Sequence, residues 1–134
     1  VALEDSQSPM DAALAAAGKA VIPESSFPVG CVLETAGGKL IPGCNIETDD
    51  WTLGLCAERV AISSALAYGH THFSRIYLTC PKDENATPCG ACRQVLFEFG
   101  PGLEIIMSRG GGWTETSTAE DLLPGGFRGE HLRV

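Results

Sequence analysis

Residues 56–100, CAERVAISSALAYGHTHFSRIYLTCPKDENATPCGACRQVLFEFG, decide the fold class. From Cys56 to Tyr68, Val60, Ala61, Ser64, Ala65 and Ala67 recur at helical spacing. The run closes on Gly69, a residue that suits a helix terminus because it tolerates a left-handed backbone. Arg75 to Cys80 predicts a strand and Pro81 to Pro88 a loop. Cys89 to Phe99 predicts a second helix, with Val95, Leu96 and Phe99 turned inward. Helix, strand and helix thus follow one another, and each helix opens on a cysteine.

Working outward, Ser8-Pro9 supplies a capping hydroxyl and a proline for the first helical position. Ala12, Ala13, Leu14, Ala16, Ala17, Ala20 and Val21 extend that helix until Pro23 stops it. Val29 to Leu33 and Lys39 to Ile46, separated by Gly37-Gly38, predict a strand pair, and Glu47 to Gly54 a polar loop holding Trp51. Past the core run, Glu104 to Ser108 and Trp113 to Ser117 flank a Gly110-Gly111-Gly112 turn. A short helix capped by Thr118 follows over Ala119 to Leu123. The order αββαβαββα places the chain in the α/β class, as a three-layer arrangement with a mixed central sheet flanked by helices. At 134 residues, one domain over 1–134 is expected, small enough to leave apolar surface for a partner subunit.

Seventeen acids against nine bases give a net charge of −8. Without a basic stripe, such a surface is repelled by a phosphate backbone, so nucleic acid is disfavoured as partner and a small uncharged ligand is not. Apolar stretches are broken by Glu, Lys, Gly or Pro well before bilayer length, so no membrane span is expected. Val1 to Ser8 carries two acids and no basic cluster, unlike a secretory or transit peptide, and a cytoplasmic location is the expectation. Of six cysteines, Cys31, Cys44 and Cys80 lie in apolar runs, where cysteine behaves as a small buried hydrophobe.

The other three carry chemistry. Cys89 and Cys92, at i and i+3 on a first helical turn, bring two sulfurs to one side of a helix and within reach of one metal ion. Upstream, Cys56 opens the other helix, and Glu58 lies two residues on, where its side chain can arc over a metal without ligating it. Two helix N-termini meeting at one metal make chemical sense, because their dipoles stabilise thiolates.

Cys56-Ala57-Glu58-Arg59, together with Pro88-Cys89-Gly90-Ala91-Cys92-Arg93-Gln94-Val95, resembles the small homotetrameric cytidine deaminases of the three-cysteine type. Phe27-Pro28-Val29-Gly30, Gly43-Cys44-Asn45-Ile46-Glu47 and Leu122-Leu123-Pro124-Gly125 resemble further family segments in the expected order. The resemblance implies a cytidine-deaminase-like fold and hydrolytic deamination of cytidine or deoxycytidine in pyrimidine salvage. It also implies one zinc ion per chain, held by Cys56, Cys89 and Cys92 with a water in the fourth position.

On the same resemblance Glu58 shuttles protons from water to N3 and to the departing amine, and backbone groups around Ala57 hold the base edge. Arg59 donates hydrogen bonds to ligand sulfurs, offsetting a net −1 from three thiolates on a doubly charged ion. Read plainly, Arg59 is a surface arginine. Asn45 and Glu47 hold a ribose hydroxyl, and Phe27 packs near the base, the plainer reading of Phe27 being an ordinary core residue. Trp51 and Phe127 reach toward a neighbouring site of a homotetramer. Thr48, Asp49, Asp50, Trp51 and Glu24 depart from the family pattern on the sugar side.

Three other readings compete. A Cys-x-x-Cys thiol-redox protein leaves Cys56 and Glu58 unexplained, and a closed structural zinc site lacks a fourth ligand with paired spacing. Within the deaminases, an aminohydrolase of a modified cytosine nucleoside, of the blasticidin-S type, is the nearest alternative.

Overall fold

A computed structural model describes residues 8–82 and 85–129. Ser8 caps helix α1 (Pro9–Ala17) by accepting from the Asp11 N–H, with proline at the start of the helix. Strands β1 (Gly30–Thr35) and β2 (Leu40–Cys44) form an antiparallel pair, followed by a 3₁₀ turn at Trp51–Leu53. Helix α2 (Ala57–Ala67) ends just before Gly69, whose φ of 91° is the left-handed conformation expected of that residue. Strand β3 (Phe73–Thr79), helix α3 (Gly90–Phe99), strands β4 (Glu104–Ser108) and β5 (Thr114–Thr118) and helix α4 (Ala119–Leu122) complete the order. That order is the one the sequence predicts.

The five strands form one sheet in the order β2-β1-β3-β4-β5. β3 and β4 are parallel and every other neighbouring pair is antiparallel, so the sheet is mixed. Alternation along β1 divides the two faces. Val32 packs with Ala12 and Ala13 of α1, whereas Cys31 and Leu33 join Ala57, Ala61, Ile62 and Leu96 on the α2 and α3 side. Gly30 and Gly43 are the close-approach points of these layers. A Cβ on Gly30 would lie 2.1 Å from the Ala13 carbonyl oxygen, and one on Gly43 2.3 Å from that of Ala57. Helix α2 therefore runs close against β2, and this contact places the start of α2. No helix among the described residues is long and apolar enough to cross a membrane.

Packing shifts several expected details. Helix α1 stops at Ala17 with Gly18 as its cap, short of Val21. The Val21 backbone instead bridges to Ile46, with N–H bonded to the Asn45 carbonyl. The buried stripe of α2 is Ala57, Glu58, Ala61, Ile62 and Ala65, while Ala67 is exposed. The stripe is turned relative to the expected one because an ionisable residue, Glu58, lies on the inward face. In α3 the inward aromatic is Phe97 and Phe99 is exposed. Cys31 and Cys80 are buried, as expected for structural cysteines, while Cys44 is half-buried with its thiol 3.6 Å from the Lys19 carbonyl.

Candidate active site

Cys56 is the N-cap residue of α2 and Cys89 that of α3, so two helix N-termini converge where α2 packs on α3. The cap positions are extended, with ψ of 154° and 169°, which carries the incoming chain away and leaves each thiol beside a helix start. Cys92, fully buried on the first turn of α3, supplies a third sulfur, and its N–H donates to Cys89 Sγ at 3.4 Å. All three sulfurs lie within 4.8 Å of one another, with Cys56 and Cys89 at 3.8 Å. A tetrahedral zinc site with bonds of about 2.3 Å has sulfur–sulfur edges of about 3.8 Å. The donor set fits zinc in element, number and spacing, and three protein ligands leave one position open.

The thiols do not ionise equally. Cys56 is pulled down to about 5, first by a hydrogen bond from Cys92 and then, against the cost of burial, by Arg59 and Cys89. Cys92 is raised as the donor to that thiolate and by its burial. Arg59 Nη2 donates to Cys56 Sγ at 3.4 Å, and Arg59 Nε is buried with no hydrogen-bond partner among the described residues. The guanidinium therefore lies on the sulfur cluster, where its charge opposes that of the thiolates.

Glu58, only 4 % exposed, lies outside the three-sulfur cluster and faces the same interior. Burial pushes its carboxyl up to about 7, with a further push from the Cys56 charge. Its own backbone N–H, Cys92 and Arg59 act in the opposite direction. A carboxyl that exchanges its proton near neutral pH is suited to general acid–base work. By contrast, burial raises the Cys31 thiol well above its ordinary value and keeps it inert.

The remaining candidates are tied to this centre through one bridge. Ile46 and Leu55 exchange N–H···O bonds, both at 2.9 Å, which sets Asn45 opposite Cys56 and Glu47 opposite Gly54. The Asn45 amide bonds backbone at both ends, with Oδ1 accepting from Val29 N–H and Nδ2 donating to the Phe27 carbonyl, each at 2.9 Å. Glu47 Oε1 accepts from the N–H groups of Glu24 and Ser25, at 3.0 and 3.1 Å, and hydrogen bonds from Ser25 and Glu24 hold its carboxyl below the usual range. Phe27 is exposed rather than part of the core. Thr48 bonds the Asp50 carbonyl, and Asp50 caps the turn that carries Trp51, which is 82 % exposed. Glu24, Glu47, Thr48, Trp51 and Gly54 line a cavity of about 240 Å³. Phe127, half-exposed, is fixed through its carbonyl to Gln94 Nε2 of α3 at 2.7 Å.

Arg93 and Ser25 also shape the site. Arg93 bonds the Pro88 carbonyl at 2.8 Å and the Leu122 carbonyl at 3.1 Å, fixing the chain that enters Cys89. Ser25 accepts from Phe27 N–H through its hydroxyl at 3.0 Å and donates its own N–H to Glu47 Oε1 at 3.1 Å. Its placement in a Ser-Ser pair after Pro23 was the available turn signal.

Residues 3–108 match the family model of the cytidine and deoxycytidylate deaminase zinc-binding region. A cytidine deaminase of Sporosarcina psychrophila is 37 % identical over 115 residues, 85 % of each chain. A probable cytidine deaminase of Dictyostelium discoideum is 38 % identical over 130 residues, 96 % of this chain and 88 % of that one. A crystal structure of the Burkholderia pseudomallei cytidine deaminase superposes with a TM-score of 0.84 at 43 % identity, covering 89 % of this chain and 96 % of that one. Blasticidin-S deaminase of Bacillus cereus is 28 % identical over 109 residues, 75 % of this chain and 77 % of that one.

Proposed function

The chain belongs to the cytidine and deoxycytidylate deaminase zinc-binding family, and from that membership we propose that it hydrolyses the 4-amino group of cytidine and deoxycytidine. Water enters, ammonia leaves, and uridine or deoxyuridine forms. The observation that carries the reading is the convergence of three sulfurs at two helix starts with a buried Glu58 facing them. Zinc, when held by Cys56, Cys89 and Cys92, supplies the Lewis acidity that makes water nucleophilic near neutral pH.

The chain's own residues do the rest. Glu58 takes one proton from the attacking water and delivers it to ring N3, then takes the second from the hydroxyl now on C4 and delivers it to the amine as the C4–N bond breaks and the carbonyl forms. Its pKa of about 7 suits both directions of transfer. Arg59 offsets thiolate charge through Cys56. Ala57, fully buried and between Cys56 and Glu58 in sequence, offers backbone groups to the base edge. Phe27 packs against the base. Glu47 Oε2 and the second N–H of Asn45 Nδ2 take a sugar hydroxyl, while Glu47 Oε1 and the other Asn45 polar groups hold the 24–29 backbone. The whole of 1–134 works as one domain, a reading supported by one sheet joining all five strands. Exposed Trp51, Leu53, Leu55 and Phe127 support a homotetramer whose neighbours cover these side chains and complete each site.

A second reading, deamination of a modified cytosine nucleoside, is favoured by the acidic cavity that contains Glu24, Glu47 and Trp51. Ammonia release from cytidine, deoxycytidine, cytosine and blasticidin S separates the two. Preference for cytidine or deoxycytidine over cytosine, lost in Glu47→Gln with zinc retained, is the expected result. Turnover of blasticidin S alone would establish the second reading, and turnover of none would overturn both.

A further inference from the structure

We infer that Ser25 is a positioning residue for substrate binding: together with Glu47 it holds the 22–27 turn in a disfavoured shape that presents Phe27 to the base. The inference rests on the assignment of Phe27 made above.

Its starting point is a backbone outlier. Ser26 has φ of 54° and is the only non-glycine residue at positive φ among the described residues. An L-residue with a side chain disfavours that region, and such a conformation persists where the surroundings over-determine it, most often at functional sites. Apolar packing does not impose it, because residues 23–27 are all exposed. Polar contacts do. Ser26 N–H donates to the Ile22 carbonyl at 3.1 Å, closing the turn. Glu47 Oε1 receives the N–H groups of Glu24 and Ser25 on one side of Ser26. Ser25 Oγ accepts from Phe27 N–H at 3.0 Å, spanning the outlier.

The consequence falls on Phe27. Its N–H is held by Ser25 Oγ and its carbonyl by Asn45 Nδ2, so both backbone polar groups are bonded although the ring is 38 % exposed and outside the core. An aromatic ring with no core to lock it takes its position from its backbone. That backbone is anchored to Asn45 and Glu47, the strand end that the Ile46–Leu55 bridge aligns with Cys56. Ser25 thus links the metal-side strand end to the ring without touching substrate, and it lowers the ordering cost that a ligand would otherwise meet.

Steady-state kinetics with cytidine on the zinc-loaded protein test this with Ser25→Ala, Ser25→Thr, Phe27→Ala and the Ser25→Ala/Phe27→Ala double variant. Ser25→Ala removes the hydroxyl that accepts from Phe27 N–H and also bonds Glu47, and should raise KM about 3- to 10-fold. kcat and the zinc content should be unchanged, since binding lost equally from ground and transition states leaves kcat alone. Ser25→Thr keeps the hydroxyl and should restore KM. In the Phe27→Ala background, adding Ser25→Ala should raise KM by a smaller factor than it does in the wild type, because Ser25 acts in part through Phe27. If Ser25→Ala folds poorly, the near-isosteric Ser25→Cys, a weaker acceptor, should show the same KM rise in smaller measure.

A wild-type KM in Ser25→Ala, failure of threonine to restore it, or multiplied effects in the double variant would overturn the inference and leave the role of Phe27 standing. An unchanged KM in Phe27→Ala would instead remove the assignment on which it rests, and the inference with it.

Discussion

Replacing Gly43 by alanine tests whether the layered packing sets the geometry of the metal cluster. The added Cβ would stand 2.3 Å from the Ala57 carbonyl oxygen and 2.9 Å from Ala61 N and Cβ. Ordinary contact begins near 3.4 Å, so α2 must retreat by about 1 Å, and the nearest atoms are backbone that cannot rotate away. Ala57 lies between Cys56 and Glu58, so the displacement enters the site directly. Overpacking of this kind costs about 1–3 kcal/mol, which lowers Tm by about 5–10 °C in a chain of this size. A misplacement of about 1 Å in reacting groups costs on the order of 10²-fold in rate. Gly43→Ala should therefore lose kcat by that order and hold zinc more weakly.

Gly30→Ala is the matched control. Its Cβ would stand 2.1 Å from Ala13 O and 2.5 Å from Ala17 N, an equal clash against α1 on the other face of the sheet. Helix α1 carries none of the assigned site residues. This variant should lose comparable stability yet keep its zinc and a nearly wild-type kcat. Calorimetry, metal analysis and ammonia release measure the three quantities. Equal kcat losses in the two variants, or intact kcat and zinc in Gly43→Ala, would refute the argument from layers.

Glu58→Gln should retain zinc and lose about 10²- to 10⁴-fold in kcat; zinc loss would show the carboxylate to be a ligand. Burial raises the Glu58 carboxyl from 4.5 to about 7. The stability this confers is full below the unfolded value and disappears as pH rises through 7. In urea unfolding at pH 8 the metal-free Glu58→Gln protein should thus exceed metal-free wild type by up to about 3 kcal/mol, and identical pH slopes from 5 to 8 would contradict its burial. Cys89→Ala should lose zinc and turnover together, and metal analysis showing a full complement would remove Cys89 from the ligand set. Trp51→Ala, at an 82 % exposed position, should weaken subunit association in sedimentation. A fully active monomeric wild type would refute the shared sites.

Local signals in the chain were read closely. Ser8 with Pro9, Gly69 and Thr118 marked helix ends that lie within a few residues of the observed ones, because capping and left-handed turns depend on neighbours in sequence. Facing was read less well. Phe99 was expected inside α3 and Phe97 takes that place, while the α2 stripe turned to bring Glu58 inward. Periodicity marks an apolar face, but a buried polar residue breaks the pattern it looks for. The segments around residues 24–29 and 45–47 are the least legible. Asn45 and Glu47 were singled out for a ligand, yet their first partners are the backbone groups of residues 24–29, some twenty positions upstream.

By itself the sequence determined that two helices begin at cysteines, that Cys92 follows Cys89 by one turn, and that Glu58 follows Cys56 by two residues. Those relations lie within one helical turn and are settled by covalent spacing. Only the tertiary structure decided that the two helix starts meet with sulfurs 3.8 Å apart, because strand order, register and the Gly43 contact set that distance. It also decided that Glu58 titrates near 7, since desolvation depends on every chain segment that displaces water from a group.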